Sequence, residues 1–136
     1  MSYNYKPGDI IGINRLLYVH YVLYVGDNRV FHYISDTYFG KRAKIEFCDF
    51  DIILSNSTHF LANKNFEDLK KNDIQHILSN IYTKIGENND YCLFTNNCEH
   101  FITELCFNYK ISRQVNKYKY SILTLLSSYI VYKLIL

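Results

Sequence analysis

Three residues of this chain have side chains suited to nucleophilic catalysis, and local structure can bring them together. Cys98 follows Asn96 and Asn97, which are favoured helix N-caps, and opens a run with helical periodicity. A thiol at a helix N-terminus lies near unpaired backbone N–H groups and the positive end of the helix dipole, which favour the thiolate. His20 and His32 lie upstream in an apolar hairpin and can supply the base.

The two histidines can cooperate only if the hairpin between them has a suitable loop. The strands predicted on either side are separated by a Gly-Asp-Asn signal at 26–28. A three-residue loop there places His32 opposite Val22 and both imidazoles on one face, about 7–8 Å apart at Cα. A two-residue loop would place His32 opposite Leu23 and on the other face from His20. We expect the three-residue loop.

The hydrophobic pattern predicts an α+β fold, with an antiparallel sheet packed against helices and a hydrophobic C-terminal helix. Strands are predicted at 10–13, 18–25, 29–34, 43–50, 57–61 and 91–94. Strand 18–25 lacks a polar side, so we expect it to be central and covered on both faces. Helices are predicted from 65–68 to residue 85, from Cys98 to about Asn108, and over the apolar segment 120–136.

The composition predicts one globular, intracellular domain. The chain has 136 residues, of which 49% are hydrophobic and 17% aromatic, and a chain of this length buries about 70% of its unfolded surface. Cys48, Cys92 and Cys106 form no C-x-x-C pair with Cys98, and the N-terminus does not resemble a signal peptide. We therefore expect reduced thiols, with the first three cysteines acting as small hydrophobic residues.

The charge distribution separates the C-terminal segment from the rest. The net charge of +2 is too small to indicate nucleic-acid binding, and no acidic residue follows Glu104. We predict a catalytic domain at 1–116, followed at 117–136 by a basic linker and hydrophobic tail. At 1.5 Å per residue the apolar part is about 25 Å long, short for a bilayer crossing. We expect it to attach to a membrane surface, with an ordinary core helix as the alternative.

The chemically interesting residues fall within ordered motifs of a known family. The motifs are Lys6-Pro7-Gly8-Asp9, Arg15-x-x-Tyr18-x-His20-Tyr21-x-x-Tyr24-Val25-Gly26-Asp27 with His32 following, and Asn97-Cys98-Glu99-His100-Phe101-x-x-Glu104-Leu105. Together they resemble the lecithin:retinol acyltransferase-like family, in particular its H-Ras-like suppressor phospholipase and acyltransferase branch. The resemblance extends from about residue 5 to residue 114, with Tyr21 where the family usually has Trp.

This resemblance implies a circularly permuted papain-like fold whose catalytic residues occur in the order His, His, Cys. It implies that Cys98 is the nucleophile, His20 the base, and His32 the group that orients His20. An imidazole within hydrogen-bond reach of the thiol supports the same roles on chemical grounds. Candidates for binding the substrate or the developing oxyanion are Arg15, Tyr18 and Asn97.

The activity implied by the resemblance is that of a phospholipase A and acyltransferase. Cys98 would attack a glycerophospholipid ester to form an acyl-thioester, which water, an amine or a hydroxyl then resolves. No metal or other cofactor is implied. We expect a monomer in the cytoplasm, associated with the membrane through its C-terminal segment, with phospholipid as substrate and no nucleic-acid partner.

Three other functions are compatible with the same residues. The chain could be a catalytically inactive module tethered to membranes, or a papain-like peptidase or amidase. A zinc site at Cys98, His20 and His32 is a further alternative, although paired-ligand spacing is lacking. We interpret His100 as structural because it lies about 200° around the helix from Cys98, and we interpret His59 and His76 in the same way.

Overall fold

The computed structural model describes residues 3–35, 43–85 and 97–135. The strands are β1 (Ile10–Asn14), β2 (Val19–Gly26), β3 (Arg29–Ile34), β4 (Lys44–Asp49) and β5 (His59–Leu61). The helices are α1 (Phe50–Leu54), a 3₁₀ helix (Asn63–Phe66), α2 (Ile74–Lys84), α3 (Cys98–Phe107) and α4 (Arg113–Ile135). The strands form one antiparallel sheet in the order β4-β3-β2-β1-β5. This confirms the predicted α+β class; the strand predicted at 91–94, with Cys92, lies outside the described residues.

Strand β2 is apolar along its whole length because both of its faces are covered. Its odd-numbered side chains, such as Tyr21, pack into the core that contains Ile77 of α2 and Ile102 of α3. Its even-numbered side chains, such as Val22, pack into a second core around Phe50 of α1. The prediction of a central strand buried on both sides is confirmed.

The hairpin between β2 and β3 differs from the predicted loop but reaches the predicted register. Asp27 and Asn28 form a two-residue turn with φ of 50° and 57°, which is the left-handed geometry that twists correctly between antiparallel strands. A β-bulge next to Gly26 then shifts the pairing by one residue, so that Leu23 lies opposite Phe31. The three-residue loop was therefore wrong, and the bulge explains why the histidines still share a face.

The helix predicted to begin at 65–68 starts later. The 3₁₀ helix ends at Phe66, which is 1% exposed and anchored in the core. Asn72 is held by α3, because its backbone N–H donates to the Cys106 carbonyl. Helix α2 begins only at Ile74, where the Asp73 carboxylate accepts the backbone N–H of His76. Tertiary contacts thus override the local helical pattern of residues 67–73.

Helix α1 was not predicted, and the strand predicted at 43–50 ends at Asp49 because Phe50 begins this helix. The C-terminal end of α1 is stabilised from outside. The Arg15 guanidinium donates to the carbonyl oxygens of Ile53 and Leu54, at the helix end where carbonyl groups lack intrahelical partners. The Leu54 carbonyl also accepts the Ser57 backbone N–H.

Helix α4 begins at Arg113, so residues 113–119 are helical although the sequence suggests a linker there. Val115 is buried against the domain, whereas every residue from 116 to 135 is exposed. Among the helices of the described part of the chain, none combines the length and hydropathy required to cross a bilayer.

Candidate active site

Cys98 is the first residue of α3, and the residue before it caps the helix. The Asn97 side-chain oxygen accepts the backbone N–H groups of Glu99 and His100 at 2.9 and 3.1 Å. In return, His100 Nδ1 accepts the Asn97 backbone N–H at 3.1 Å. This reciprocal capping confirms the predicted helix start and gives His100 a structural role. It also commits the Asn97 side-chain oxygen to the helix cap.

Cys98 lies where the sheet opens between β2 and β3. Pairing between β2 and β3 ends at Leu23 and Phe31, although β2 continues to Val19 and β3 to Ile34. Antiparallel strands normally satisfy each other's backbone groups along their whole shared length. The opening therefore leaves backbone groups of β2 without a strand partner on this side.

The thiol of Cys98 lies against these backbone groups. The N–H and C=O of Tyr24 bond to the chain just before β1, so alternation directs those of Val19 and Tyr21 towards β3. Instead of β3, the Val19 carbonyl meets the Cys98 thiol and the Gln114 side chain. Cys98 Sγ is 4.0 Å from the Val19 carbonyl oxygen, and the Tyr21 backbone acts to lower the pKa of the thiol, against the larger effect of burial. The N-terminus of α3 thus lies at the opening, against the backbone of the residue before His20.

The two predicted histidines lie together on one face of the sheet. His20 Nε2 is 3.0 Å from His32 Nδ1, and both side chains are buried. On its other side, His32 Nε2 is 3.2 Å from Glu46 Oε1 on β4. Three side chains from three adjacent strands therefore form one hydrogen-bonded chain that ends at His20.

Glu46 determines which nitrogen of each histidine carries a proton. Its hydrogen bond with His32 holds the pKa of the Glu46 carboxyl below its usual value, so the group is an ionised acceptor at neutral pH. His32 Nε2 then donates to Glu46, and His32 Nδ1 accepts from His20 Nε2. The remaining nitrogen of His20, Nδ1, keeps its lone pair and is available as a base.

Burial keeps the reacting groups neutral. It lowers the pKa of His20 to about 3, with smaller contributions from the charges of His32 and Arg15. Burial also lowers the pKa of His32 and raises that of Cys98 to about 11. The backbone N–H groups at the helix start favour the thiolate, as the sequence suggests, but burial outweighs them. At neutral pH the Cys98 thiol and the His20 imidazole are therefore both uncharged.

A buried carboxylate next to Cys98 in the sequence holds the start of α4. Glu99 is 1% exposed. It accepts the Ser112 hydroxyl at 2.6 Å, the backbone N–H groups of Arg113 and Gln114 at 3.1 and 3.2 Å, and Gln114 Nε2 at 3.1 Å. A carboxylate with several donors at a helix N-terminus is a stable arrangement for a buried charge.

Gln114 takes the place of the missing strand partner of β2. Its Oε1 accepts the Val19 backbone N–H at 2.7 Å, and its Nε2 donates to the Val19 carbonyl at 3.1 Å. One side-chain amide thus satisfies both backbone groups of the residue before His20. Gln114 therefore links β2, the strand of His20, to Glu99, the residue after Cys98.

The predicted substrate-binding residues Arg15 and Tyr18 line a groove beside this site, with a volume of about 380 Å³. The groove lies between the β1–β2 turn and α4, and its wall also includes Val19, Gln114 and Lys117. The Arg15 guanidinium nitrogens are occupied at the end of α1. Its charge nevertheless contributes to the low pKa of His20.

A different set of residues could hold a metal ion. Within the three described ranges, the group of potential ligands whose atoms converge within 4.8 Å is His32, Glu46 and Cys48. The set proposed as a zinc alternative, Cys98 with both histidines, is not among the groups found there. Cys48, Cys98 and Cys106 are all free thiols.

Sequence reasoning missed Glu46 and Gln114. Glu46 lies opposite His32 only through the register of β3 and β4, and no turn signal in the intervening sequence fixes that register. Gln114 follows Val19 by 95 positions, and a single polar residue at a helix start carries no sign of such a partner. Neither residue could be found without the tertiary arrangement.

Comparisons with known proteins identify the family of this chain. A family model described as lecithin retinol acyltransferase matches residues 3–111. Human phospholipase A and acyltransferase 4 is 32% identical over 131 residues, covering 84% of this chain and 77% of its own. Human phospholipase A and acyltransferase 1 is 29% identical over 122 residues, covering 82% and 73%. Rat lecithin retinol acyltransferase is 26% identical over 139 residues, covering 85% and 60%. The chain therefore belongs to the lecithin retinol acyltransferase family.

Proposed function

We propose that this protein is a thiol-dependent phospholipase A-type hydrolase and acyltransferase that acts on glycerophospholipids. Family membership and the names of the relatives support this class of reaction. Two observations carry the mechanism: Cys98 Sγ lies against the carbonyl of Val19, the residue before His20, and His20 forms a hydrogen-bonded chain with His32 and Glu46.

In the first step, Cys98 Sγ attacks the ester carbonyl carbon of the phospholipid. The thiol is neutral at rest, so its proton passes to His20 Nδ1 as the C–S bond forms. The carbonyl oxygen becomes an oxyanion, and the Cys98 backbone N–H at the helix N-terminus is placed to stabilise it. His32 and Glu46 stabilise the positive charge that develops on His20.

The tetrahedral intermediate then collapses to the products of the first half-reaction. The ester C–O bond breaks, and the departing lysophospholipid oxygen takes the proton from His20. The acyl group remains on Cys98 as a thioester. In the second half-reaction, His20 accepts the proton of water, an amine or a hydroxyl as its heteroatom attacks the thioester. The proton returns to the sulfur as the C–S bond breaks, releasing a fatty acid or an acylated acceptor.

The C-terminal segment supports a membrane-associated location in the cytoplasm. The exposed part of α4 carries many apolar and aromatic side chains with nothing packed against them in the described structure. Lys117 and Lys119 precede them, and such basic residues suit an anionic lipid surface. We assign the catalytic domain to 1–116 and the attachment segment to 117–136, and we regard the protein as a monomer.

The thioester proposal is tested by intact-mass spectrometry after brief incubation with phosphatidylcholine. We expect a fatty-acyl adduct on the wild-type chain and on Cys48→Ser, the control thiol variant, and no adduct on Cys98→Ala. An adduct that persists in folded Cys98→Ala would refute the assignment of the nucleophile. A wild-type chain that binds vesicles but forms neither adduct nor product would favour the inactive binding module.

A further inference from the structure

The turn between β1 and β2 places two adjacent leucines in solvent. Leu16 is 97% exposed and Leu17 is 71% exposed. The Arg15 backbone N–H donates to the Tyr18 carbonyl at 2.9 Å, so the two leucines form the tip of the hairpin. Single exposed leucines are common, but an adjacent pair at a projecting tip gains nothing from the core and marks a surface that contacts another apolar phase.

This leucine tip, Leu16 and Leu17, is held firmly at its base. On one side, Arg15 Nη1 donates to the Ser57 hydroxyl at 2.7 Å and also bonds to the end of α1. On the other side, the Tyr118 hydroxyl donates to the Leu17 carbonyl at 2.9 Å. The tip is therefore fixed between α1 and the early turns of α4, and its exposure is a property of the folded structure.

The charges beside the leucine tip favour a lipid surface as its partner. Lys117 lies in the groove next to the tip, and Lys119 follows it on α4. No acidic residue follows Glu104 in the sequence. Apolar side chains that project beside cations are typical of surfaces that insert into the boundary between anionic headgroups and acyl chains.

We infer that the leucine tip inserts into the lipid surface that holds the substrate, as a docking element separate from segment 120–136. Strand β2 begins two residues after Leu17, at Val19, whose carbonyl is 4.0 Å from Cys98 Sγ. Insertion of the tip therefore brings the opening of the sheet to the lipid interface. The inference rests on the proposed function in one respect, that the substrate is a membrane lipid.

The test compares full-length variants for sedimentation with vesicles of phosphatidylcholine and phosphatidylglycerol. The variant is Leu16→Ser with Leu17→Ser. The matched control is Tyr82→Ser with Ile85→Ser on α2 and just after it, where the side chains are 70% and 49% exposed. We expect the tip variant to lose at least about tenfold in vesicle partition coefficient, and the control to stay near wild type.

A second measurement separates this inference from the proposed function. Hydrolysis of a short-chain ester that stays monomeric in water should remain within about twofold of wild type in the tip variant, because the leucines contact no reacting group. If the proposed function is wrong, the wild-type protein will not hydrolyse this ester, but the difference in vesicle binding between the tip variant and the wild type will remain. Wild-type vesicle binding by the tip variant would overturn the inference. If its oligomeric state in gel filtration also changed, the leucine tip would instead be a contact between protein molecules.

Discussion

In the proposed mechanism, the reaction depends on which nitrogen of His20 lacks a proton, and the residue that decides this lies two strands away. Glu46 accepts from His32, which in turn accepts from His20, so that Nδ1 of His20 keeps its lone pair. Glu46 is partly exposed, with 37% of its side chain accessible, while both histidines are buried. The hydrogen bonds from Glu46 through His32 thus transmit the effect of a charge near the protein surface to the buried imidazole of His20.

Glu46→Gln should therefore lower activity without unfolding the protein. The new amide can donate to His32 Nε2, which would reverse both imidazole tautomers and place a proton on the basic nitrogen of His20. We expect kcat for a soluble ester to fall by at least about tenfold. Glu67→Gln, at an exposed position, is the matched control. Unchanged kcat and an unchanged pH–rate profile in Glu46→Gln would contradict the proton assignment.

The neutral resting thiol predicts how alkylation of Cys98 depends on pH. Because burial raises its pKa to about 11, the rate of reaction with iodoacetamide should rise steadily with pH between about 6 and 10, without a plateau. The rate is measured by mass spectrometry, with Cys98→Ser used to subtract labelling of other thiols. A plateau beginning near neutral pH would instead indicate a thiolate–imidazolium pair at rest.

The low pKa of His20 also predicts acid sensitivity of the fold. The folded pKa of about 3 lies below the ordinary histidine pKa of 6.5, so between these values the unfolded chain binds more protons. Stability is thus fully present above pH 6.5 and falls as the pH drops towards 3, by at most about 1.4 kcal/mol per pH unit. Urea unfolding at several pH values should show a shallower slope for His20→Gln. The exposed His76→Gln should keep the wild-type slope.

Among the elements, the edge strand β5 depends on a glycine in β1. Gly12 lies opposite Phe60, and a Cβ at residue 12 would overlap the Phe60 ring. Gly12→Ala should therefore lower the free energy of unfolding by about 1–3 kcal/mol, as overpacking does elsewhere. The measurement is a double-mutant cycle in urea with Phe60→Leu, whose smaller side chain should recover part of the loss. Additive effects would show that the two positions do not interact.

Elements with a short-range signal were predictable, and those set by tertiary contacts were not. The strands of the β2–β3 hairpin and the start of α3 follow from apolar runs, turn residues and the capping Asn97. The bulge at Gly26 could not be predicted, because a two-residue turn with a bulge and a three-residue loop give β2 and β3 the same register. The same holds at the site, where Cys98 and the hairpin histidines could be predicted from motif and spacing, while Glu46 required the β3–β4 register.

For the molecule as a whole, α4 has two distinct parts along its length. Its first turn is bound to Glu99 within the domain, and its later turns are exposed. Deleting 120–136 should therefore reduce flotation with phosphatidylcholine and phosphatidylglycerol vesicles while soluble-ester hydrolysis stays near wild type. Circular dichroism of the truncated chain provides the folding control. Unchanged flotation would remove the proposed role of this segment in attachment.

The opening between β2 and β3 has one more consequence for the whole molecule. The register that the two strands share up to Leu23 would allow their pairing to continue beyond it. The Cys98 thiol and the Gln114 side-chain amide lie against β2 there instead. A movement of the first turn of α4 would withdraw Gln114 from Val19. The backbone N–H and C=O of Val19 would then lose their hydrogen bonds to the Gln114 side chain. Strand β3 is the neighbouring strand on this side of β2, and further pairing with it would displace Cys98 from the opening. In the proposed mechanism, activity thus competes with completion of the sheet, and the start of the C-terminal helix sets the balance.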